Sequence, residues 1–563
     1  MMRFSFSKKR TYQEIAPDEI FLDSKNLPEF NTQQFEGRLE KPINHTSIMA
    51  VLIFFACIVV VFSIKLFSLQ IIKGEEYFAK SEKNSLQSIT IFADRGIIYD
   101  RNMVELAWNE RLKEDDPFAI RKYIKTPGFA HLLGYVAYPQ EDDSGNFWQQ
   151  NFIGKDGVEK VYGKFLEGKN GARLFEKDVK GNIHSEQMIN NPERGKDLLL
   201  TVDANVQEGL QQGIADLAQA SGYRGGGGVI MNIQTGEILA LTSYPEYNSE
   251  ILSLGEDREK INHYITDSRR VFINRVVSGV YTPGSIVKPY IALAALHENV
   301  IDPFKSILST GQLVIENKYS PGNDTIFKDN KAHGYVDMRH ALAVSSNVYF
   351  YQIGGGFKDQ KGLGINNIEK YTKEFGLNKK TGIDLPNELA GNIPSIDWKK
   401  KVFPNDPWRV GDTYHTAIGQ YGFQVTPIEM VRAVAAVANG GTLVNPHVLK
   451  EMATTKDSTS ITIKDEKNYK VVREGMRMVV TDGTGGAVKL PFVTVAAKSG
   501  TAQVGISKSQ VNSWITGFFP YENPKYAFVI LMERGRADDH TSASHAMKYT
   551  LEWMNMHAPE YLR

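Results

Sequence analysis

Two residues in the run Tyr281-Thr-Pro-Gly-Ser-Ile-Val-Lys-Pro-Tyr290 could do covalent chemistry together, Ser285 and Lys288. A serine hydroxyl becomes a nucleophile when a base lies within hydrogen-bond reach, and a lysine three residues on shares its helix face. The spacing alone is common, since Ser5 and Lys8 repeat it in a charged N-terminal stretch. Position separates the copies. Pro283-Gly284 is a turn signal, and Tyr290-Ile-Ala-Leu-Ala-Ala-Leu296 has the character of a buried helix. Pro289 then falls in the first helical turn, where a missing N–H costs little. Ser285 is expected at a helix N-terminus, where backbone N–H groups and the macrodipole favour developing negative charge.

In serine acyl-transfer sites such a pair is accompanied by Ser-x-Asn and by Lys-Thr/Ser-Gly. Ser-x-Asn occurs at Ser24, Ser144 and Ser345. The first two precede the candidate catalytic region, whereas Ser345-Ser-Asn347 lies between the apolar runs Met338 to Val344 and Val348 to Ile353. A loop between two helices can aim side chains into a cleft, and Asp337 is placed to cap the first of them. Lys-Thr/Ser-Gly occurs at Lys380-Thr-Gly382, in a loop of turn residues, and at Lys498-Ser-Gly500, inside the strand-like run Phe492 to Val504. An extended peptide could lie along a sheet edge there, with Gly500 admitting close backbone approach. Strict alternation sends Lys498 to the face opposite Ser499 and Thr501, so the length of the lysine or a local twist must bring its charge back.

Together these residues describe acyl transfer at a carbonyl. Ser285 attacks, and Lys288, its charge disfavoured by burial and neighbouring cations, takes the proton. Ser345 relays a proton to the leaving amine, with Asn347 positioning the substrate amide. The backbone N–H groups of Ser285 and Thr501 are the candidate oxyanion hole. Lys498, Ser499 and Thr501, one cation and two hydroxyls, suit a terminal carboxylate, with Gly500 between them.

The elements that must position these groups are readable in outline. Gly228 to Ile233 and Glu237 to Leu241 flank the turn Gln234-Thr-Gly236 as a hairpin. Helical patterns fill much of the stretch from Ser285 to about Asn439, and strands return at Phe492 to Val504, Trp514 to Phe519 and Tyr526 to Met532. Strands first, helices in the middle and strands last predict an α+β domain whose sheet is assembled from both ends of the sequence. Ahead of it, Gly74 to about Asp197 mixes short strand-like runs with turns and reads as an elongated module with a modest core.

Ile48 to Ile64 carries no charge, and with Lys65 snorkelling the apolar stretch continues to Ile72, enough for the about 20 residues of a spanning helix. The residues ahead of it make too long an n-region for a cleaved signal, so an uncleaved anchor is expected behind a polar tail without clear period. Lys65, Lys73, Lys80 and Lys83 follow the span while Arg38 and Lys41 precede it. That is the wrong sense for positive-inside, but long domains translocate largely regardless of such charges.

A chain of 563 residues has room for two or three domains, and 42% hydrophobic content allows a sizeable core. Equal numbers of basic and acidic residues, 65 of each, argue against nucleic acid as a partner. The single cysteine, Cys57, excludes an internal disulfide framework. With neither HExxH nor paired CxxC spacing, no metal and no other cofactor is expected, and His540 and His545 read as surface residues.

The chain resembles the class B penicillin-binding proteins, membrane-anchored peptidoglycan D,D-transpeptidases, from about Ile48 to the C-terminus. Beyond the three motifs, the resemblance is carried by Leu69-Gln-Ile-Ile-Lys-Gly-Glu-Glu-Tyr77, Asp94-Arg-Gly-Ile-Ile-Tyr-Asp-Arg-Asn102 and Gly154-Lys-Asp-Gly-Val-Glu-Lys-Val-Tyr162. Thr235-Gly-Glu-Ile-Leu-Ala240, Asn274-Arg275 and Gly411-Asp-Thr413 add to it. It implies a penicillin-binding transpeptidase fold, a mixed sheet with helices, on an elongated pedestal with one N-terminal transmembrane helix. The implied divisions are a cytoplasmic tail over 1–47, an anchor over 48–72, a dimerisation-type pedestal over 73–196 and a transpeptidase domain over 197–563. It also implies a catalytic domain on the outer, periplasmic side of the cytoplasmic (inner) membrane. The implied substrate is a stem peptide ending in D-Ala-D-Ala, on peptidoglycan or its lipid-linked precursor, with release of terminal D-Ala. Covalent inhibition by β-lactams and a SEDS-type glycosyltransferase as membrane partner follow from the same resemblance.

Pro407-Trp408, Gly411-Asp-Thr413 and the Ser-Ile-Val-Lys-Pro form resemble elongation-type members. Two features depart from the family pattern. Ile418-Gly-Gln-Tyr-Gly422 stands where the family commonly has Ile-Gly-Gln-Gly-Tyr, which places a bulky ring beside the site. Only 28 residues separate Asn102 from His131, where members usually insert a much larger pedestal head. The motifs are shared with D,D-carboxypeptidases and β-lactam-hydrolysing serine enzymes, and an inactive scaffold for the glycosyltransferase is the non-enzymatic alternative. Access of an acceptor amine separates transfer from hydrolysis.

Overall fold

The computed structural model describes residues 44–78, 86–114, 116–143, 146–177, 183–317, 319–320, 322–452, 458–505, 509–538 and 541–563. The expected tail therefore lies almost wholly outside the described residues, as do Ser5, Lys8, Ser24, Ser144 and His540. The chain divides into two compact units, Met1–Leu86 and Gln87–Arg563.

In the first unit, helix α1 (His45–Phe67) runs on into a wider turn over Ser68–Ile72. It starts three residues before the expected span. None of its residues is buried, and mean hydropathy reaches 3.0. A helix of 28 residues is about 42 Å long, more than the about 30 Å of bilayer hydrocarbon, so α1 is long and apolar enough to be a single membrane anchor.

The second unit begins with small sheets. Leu198–Leu199, Ile98–Tyr99, Glu105–Glu110 and Ile120–Tyr123 form a four-stranded one, and Gly171–Lys177 pairs with Ile183–Asn190 as a hairpin. Beside apolar residues such as Ile98, Leu106, Leu132, Val158 and Leu166, this region buries charge. The buried carboxylate of Glu159 sits between Arg95 (2.6 Å) and Arg121 (2.7 Å). Burial alone would push that carboxyl up, but the two guanidiniums hold it below the usual range.

The largest sheet has five antiparallel strands and is covered on both faces. Its strands are β1 (Gly225–Asn232), β2 (Ile238–Tyr244), β3 (Ala496–Val504), β4 (Gln510–Phe519) and β5 (Tyr526–Arg536), in the order β2-β1-β5-β4-β3. The helices used below are α2 (Ala204–Ser221), α3 (Lys288–His297), α4 (Met338–Ala343), α5 (Asn347–Gly355), α6 (Val410–Ala417), α7 (Pro427–Ala438), α8 (Glu466–Thr481) and α9 (Ala543–His557). Alternate strand residues serve two cores. Ile230, Ile515 and Ile530 pack with Leu210 of α2 and Met547 of α9, while Val229, Val529 and Leu531 pack with the helices of the other face, α7 among them. Two covered faces explain why these strands read as nearly continuous apolar runs.

Two expectations need refinement. Helices fill much of the stretch from Ser285 to Asn439, as expected, but two hairpins interrupt them: Ile307–Ser309 with Gly334–Val336, and Gln312–Ile315 with Thr325–Lys328. These strands of three or four residues are too short to show a period of two. Strand β3 also begins at Ala496 rather than Phe492, because its partner runs out: Ala496 pairs with Phe518, and Pro520 just beyond has no N–H for the ladder.

Candidate active site

Ser285 stands in a 3-10 turn, Gly284–Val287, which feeds directly into α3 with Pro289 in its first turn. The expected position at a helix start is thus observed. Three glycines let this turn press against its surroundings. Gly284, with φ +59°, donates its N–H to the Gly419 carbonyl at 3.0 Å, and a Cβ at Gly419 would lie 2.2 Å from the Gly284 oxygen. A Cβ at Gly500 would meet Ile286 Cγ2 at 2.8 Å and the Pro283 oxygen at 3.0 Å. Gly500 was expected to make room for a substrate backbone. The room it makes is for the turn that carries Ser285. Trp514 of β4 pins the start of that turn, its Nε1 donating to the Thr282 carbonyl at 3.0 Å.

Lys288 is fully buried, and its Nζ donates to the Ser345 carbonyl (2.7 Å) and to Asn347 Oδ1 (2.8 Å), with Ser345 Oγ at 3.3 Å. Burial drives the Lys288 amine well below its ordinary value, and the nearby Lys498 charge adds to that, against a smaller pull from Asp329. A neutral amine has two N–H groups and one lone pair. The two short acceptors engage both N–H groups, which leaves the lone pair for a hydroxyl proton.

Ser345 and Asn347 lie between α4 and α5, as the sequence predicts, with Asp337 capping α4 through the His340 N–H at 2.9 Å. Ser345 has φ +58°, a left-handed conformation uncommon for serine. This turn of the chain presents both its carbonyl and its hydroxyl to Lys288. Asn347 Oδ1 is occupied by Lys288, and its Nδ2 reaches the Lys328 carbonyl at 3.5 Å.

Strand β3 is the edge of the sheet, and alternation along it is kept: Lys498 and Gly500 are buried, Ser499 is half-buried and Thr501 is exposed. The length of the lysine brings its charge back, with Nζ donating to Ser345 Oγ at 3.0 Å and to the Ser499 carbonyl at 2.9 Å. Burial lowers the Lys498 amine to about 7. Ser499 Oγ meets Thr484 Oγ1 at 2.6 Å.

These groups converge on one cavity of about 900 Å3, lined by Ser285, Ser345, Asn347, Ser499, Gly500 and Thr501, with Lys288 and Lys498 buried against Ser345. Tyr421 is also on its wall, as its place in the sequence suggested. Its backbone is left-handed (φ +63°), and its ring stands edge-on to Trp398 and Trp408 at 5.8 and 5.9 Å. The other Lys-Thr-Gly copy is elsewhere: Thr381 Oγ1 donates to Glu388 at 2.7 Å, a carboxylate-held turn.

Sequence reasoning missed Asp329. Its carboxylate accepts from Ser346 Oγ (2.9 Å), the Val348 N–H (3.0 Å) and Ser309 Oγ (3.3 Å), fixing the loop that carries Ser345 and Asn347. Burial works against ionisation, but the backbone N–H groups of Asn347, Val348 and Asn330 and the Ser346 hydroxyl hold the carboxyl below its ordinary value. A lone aspartate in a short hairpin carries no sequence signal. Thr484 was missed for the same reason.

Residues 226–552 match the penicillin binding protein transpeptidase domain, and residues 116–200 match the penicillin-binding protein dimerisation domain. The chain belongs to the penicillin-binding protein transpeptidase family. Among penicillin-binding proteins it is similar to the peptidoglycan D,D-transpeptidase MrdA of Acinetobacter baumannii, 32% identical over 436 residues. That match covers 72% of this chain and 62% of the relative. Of solved structures, Pseudomonas aeruginosa PBP2 in complex with WCK 5153 is 30% identical with a TM-score of 0.68, over 83% of this chain and 96% of that one. Helicobacter pylori PBP2, solved as a complex with MreC, is 26% identical with a TM-score of 0.69, over 84% and 99%. The penicillin-binding transpeptidase fold expected from the sequence, with one N-terminal apolar helix, is the fold observed.

Proposed function

We propose that this penicillin-binding protein is a peptidoglycan D,D-transpeptidase of the elongation type. The observation that carries the proposal is the meeting of Ser285, Lys288, Ser345, Asn347 and Lys498 at one cavity along an exposed sheet edge. The donor peptide lies along β3, its terminal carboxylate held by Lys498, Ser499 and Thr501. Ser285 Oγ attacks the carbonyl of the penultimate D-Ala and gives its proton to Lys288. The oxyanion is stabilised by the N–H groups of Ser285 and Thr501. As the C–N bond breaks, the proton passes from Lys288 through Ser345 to the departing nitrogen, and D-Ala leaves. An amine of a second peptide then attacks the ester, loses a proton by the same route and regenerates Ser285. β-Lactams acylate Ser285 and stay.

The anchor α1 supports a catalytic unit outside the cytoplasmic membrane, with the N-terminal residues in the cytoplasm. A SEDS-type glycosyltransferase is the proposed membrane partner. The pedestal is the proposed docking region for a scaffold protein of the kind bound by the Helicobacter relative. Its hairpin over Glu105–Glu110 and Ile120–Tyr123 takes the place of a larger head.

Mass spectrometry with penicillin tests the nucleophile: wild type gains one adduct and Ser285→Ala gains none. An adduct on the variant, or none on wild type, rejects the assignment. Pentapeptide donor with and without an amine acceptor then separates the reactions, and release of D-Ala without crosslinked dimer would make the enzyme a carboxypeptidase.

A further inference from the structure

A second cavity, of about 460 Å3, begins where β3 ends. In a chain of zero net charge it is lined by five arginines, Arg224, Arg269, Arg270, Arg275 and Arg534, against one carboxylate, Glu533. The balance within it is incomplete. Arg269 pairs with Asp267 at 2.7 Å. Glu533 is committed to Arg275 Nε at 2.8 Å and stands 4.0 Å from Arg534. The Arg275 side chain is only 2% exposed. Its Nη2 donates to the Arg269 carbonyl, but Nη1 is buried without a hydrogen-bond partner. A buried guanidinium with an unused N–H is a donor in search of an oxyanion.

The backbone points the same way. Arg270 and Arg534 have φ +57° and +54°, a left-handed backbone that non-glycine residues rarely adopt. At Arg534 the cause is a bulge: pairing jumps from Val511 with Gly535 to Ser513 with Met532, and Asn512 Oδ1 accepts the Arg534 N–H at 3.0 Å. Bulges re-aim side chains, often next to functional sites. Two strained arginines on the wall of one cavity are hard to attribute to packing.

We propose that this cavity is an anion subsite for the free carboxylates of the acceptor peptide, the strand whose amine resolves the acyl-enzyme. The proposal rests on the transpeptidase reading, since stem peptides carry free carboxylates and the donor's own is assigned to Lys498, Ser499 and Thr501. The two cavities are lined by neighbouring residues of the same strands. Gln503 lines the active cavity and Val504 the arginine cavity. Trp514 lines the active cavity, while Tyr281, 6.2 Å away and edge-on to it, lines the other. An acceptor anchored by the arginines therefore lies beside the strand that holds the donor. The pyrophosphate of a lipid-linked precursor offers the same chemistry, and the test separates the two.

The full chain in detergent is compared with Arg270→Asn/Arg534→Asn, asparagine being tolerant of left-handed backbone. Crosslinking is measured with three acceptors: a stem peptide with free carboxylates, its carboxamide analogue, and that carboxamide on a lipid pyrophosphate. The expected result is a KM for the carboxylate acceptor raised about ten-fold in the variant at unchanged kcat, the size of one lost charge-assisted contact. The carboxamide acceptor should show the same KM with both proteins, and penicillin acylation should proceed at the wild-type rate. Equal KM values for the carboxylate acceptor overturn the proposal, and so does a defect confined to the pyrophosphate-bearing acceptor. If the double variant fails to acylate with penicillin, it is misfolded, and the single variant Arg270→Glu is judged by the same criteria. A wild-type enzyme that takes no penicillin overturns the transpeptidase reading instead, a result read before any acceptor is added.

Discussion

Lys498 donates to the hydroxyl of Ser345 at 3.0 Å, joining the edge strand of the sheet to a helix-connecting loop 153 residues away. The same oxygen lies 3.3 Å from Lys288, so one hydroxyl stands between two buried lysines. The proximity sets a division of labour. On the proposed reading Lys288, pushed down by burial and by its neighbour's charge, is the base, and Lys498 is the cation that holds a carboxylate.

This division predicts a bell-shaped pH profile for acylation by a carboxylate-bearing donor. The rate rises as Lys288 loses its proton and falls as Lys498 loses its own, near the value of about 7 that burial imposes. Lys498→Arg, which cannot deprotonate in this range, should abolish the alkaline limb. The linkage to stability has a definite sign. Both lysines bind fewer protons folded than unfolded, so stability should rise with pH from about 7 to about 10, as Lys498 is neutral when folded while the unfolded side chain is still charged. Stopped-flow acylation and unfolding midpoints across this range check both statements.

Asp329→Ala removes the acceptor for Ser346, Val348 and Ser309, leaving buried donors unpaired. We expect a loss of about 2 to 4 kcal/mol from unfolding measurements. Penicillin acylation should slow with it, because the loop carrying Ser345 and Asn347 is no longer fixed. Acylation at the wild-type rate would show that the loop holds itself.

Gly500→Ala should leave the sheet paired while displacing the serine. Its new Cβ lies 2.8 Å from Ile286 Cγ2 and 3.0 Å from the Pro283 carbonyl, and both belong to or abut the turn that carries Ser285. A displacement of about 1 Å at a reacting group is worth about 100-fold in rate, to be read as the second-order acylation constant with penicillin.

Tyr421→Ala loses the edge-on contacts with Trp398 and Trp408, together about 1 to 3 kcal/mol. Tyr421→Gly loses the same contacts but relieves the left-handed backbone, and should be the more stable of the two by about 1 kcal/mol. Comparison of the two unfolding midpoints decides it. Both variants remove part of the cavity wall and should shift products from crosslinked dimer towards the hydrolysed donor peptide, at the same yield of D-Ala per acylation.

Much of the site was legible because it rests on local chemistry. Ser285 and Lys288 share one short stretch, and the turn, proline and apolar helix around them are written in adjacent residues. The sheet's two-ended assembly was legible too, since buried strands leave long apolar runs. What escaped was set by tertiary contact. Asp329 acts through partners on a different strand and helix, and the hairpins around it are too short for periodicity. The role of Gly500 could not be seen from β3 alone, because the atoms it makes room for belong to residues more than 200 positions earlier. The beginning of β3 was misplaced because the proline that ends its ladder sits on the partner strand.

Among the described residues strand β3 is an unpaired border of the sheet, and such borders ordinarily invite pairing with any extended chain. On the proposed reading the donor peptide completes the sheet as a temporary sixth strand at each turnover. The hazard that other folds suppress with charge or cover is here the means of recognition. Occupancy of that border should therefore protect β3 amides from hydrogen exchange, and an unreactive donor analogue should guard this protein against association through its edge.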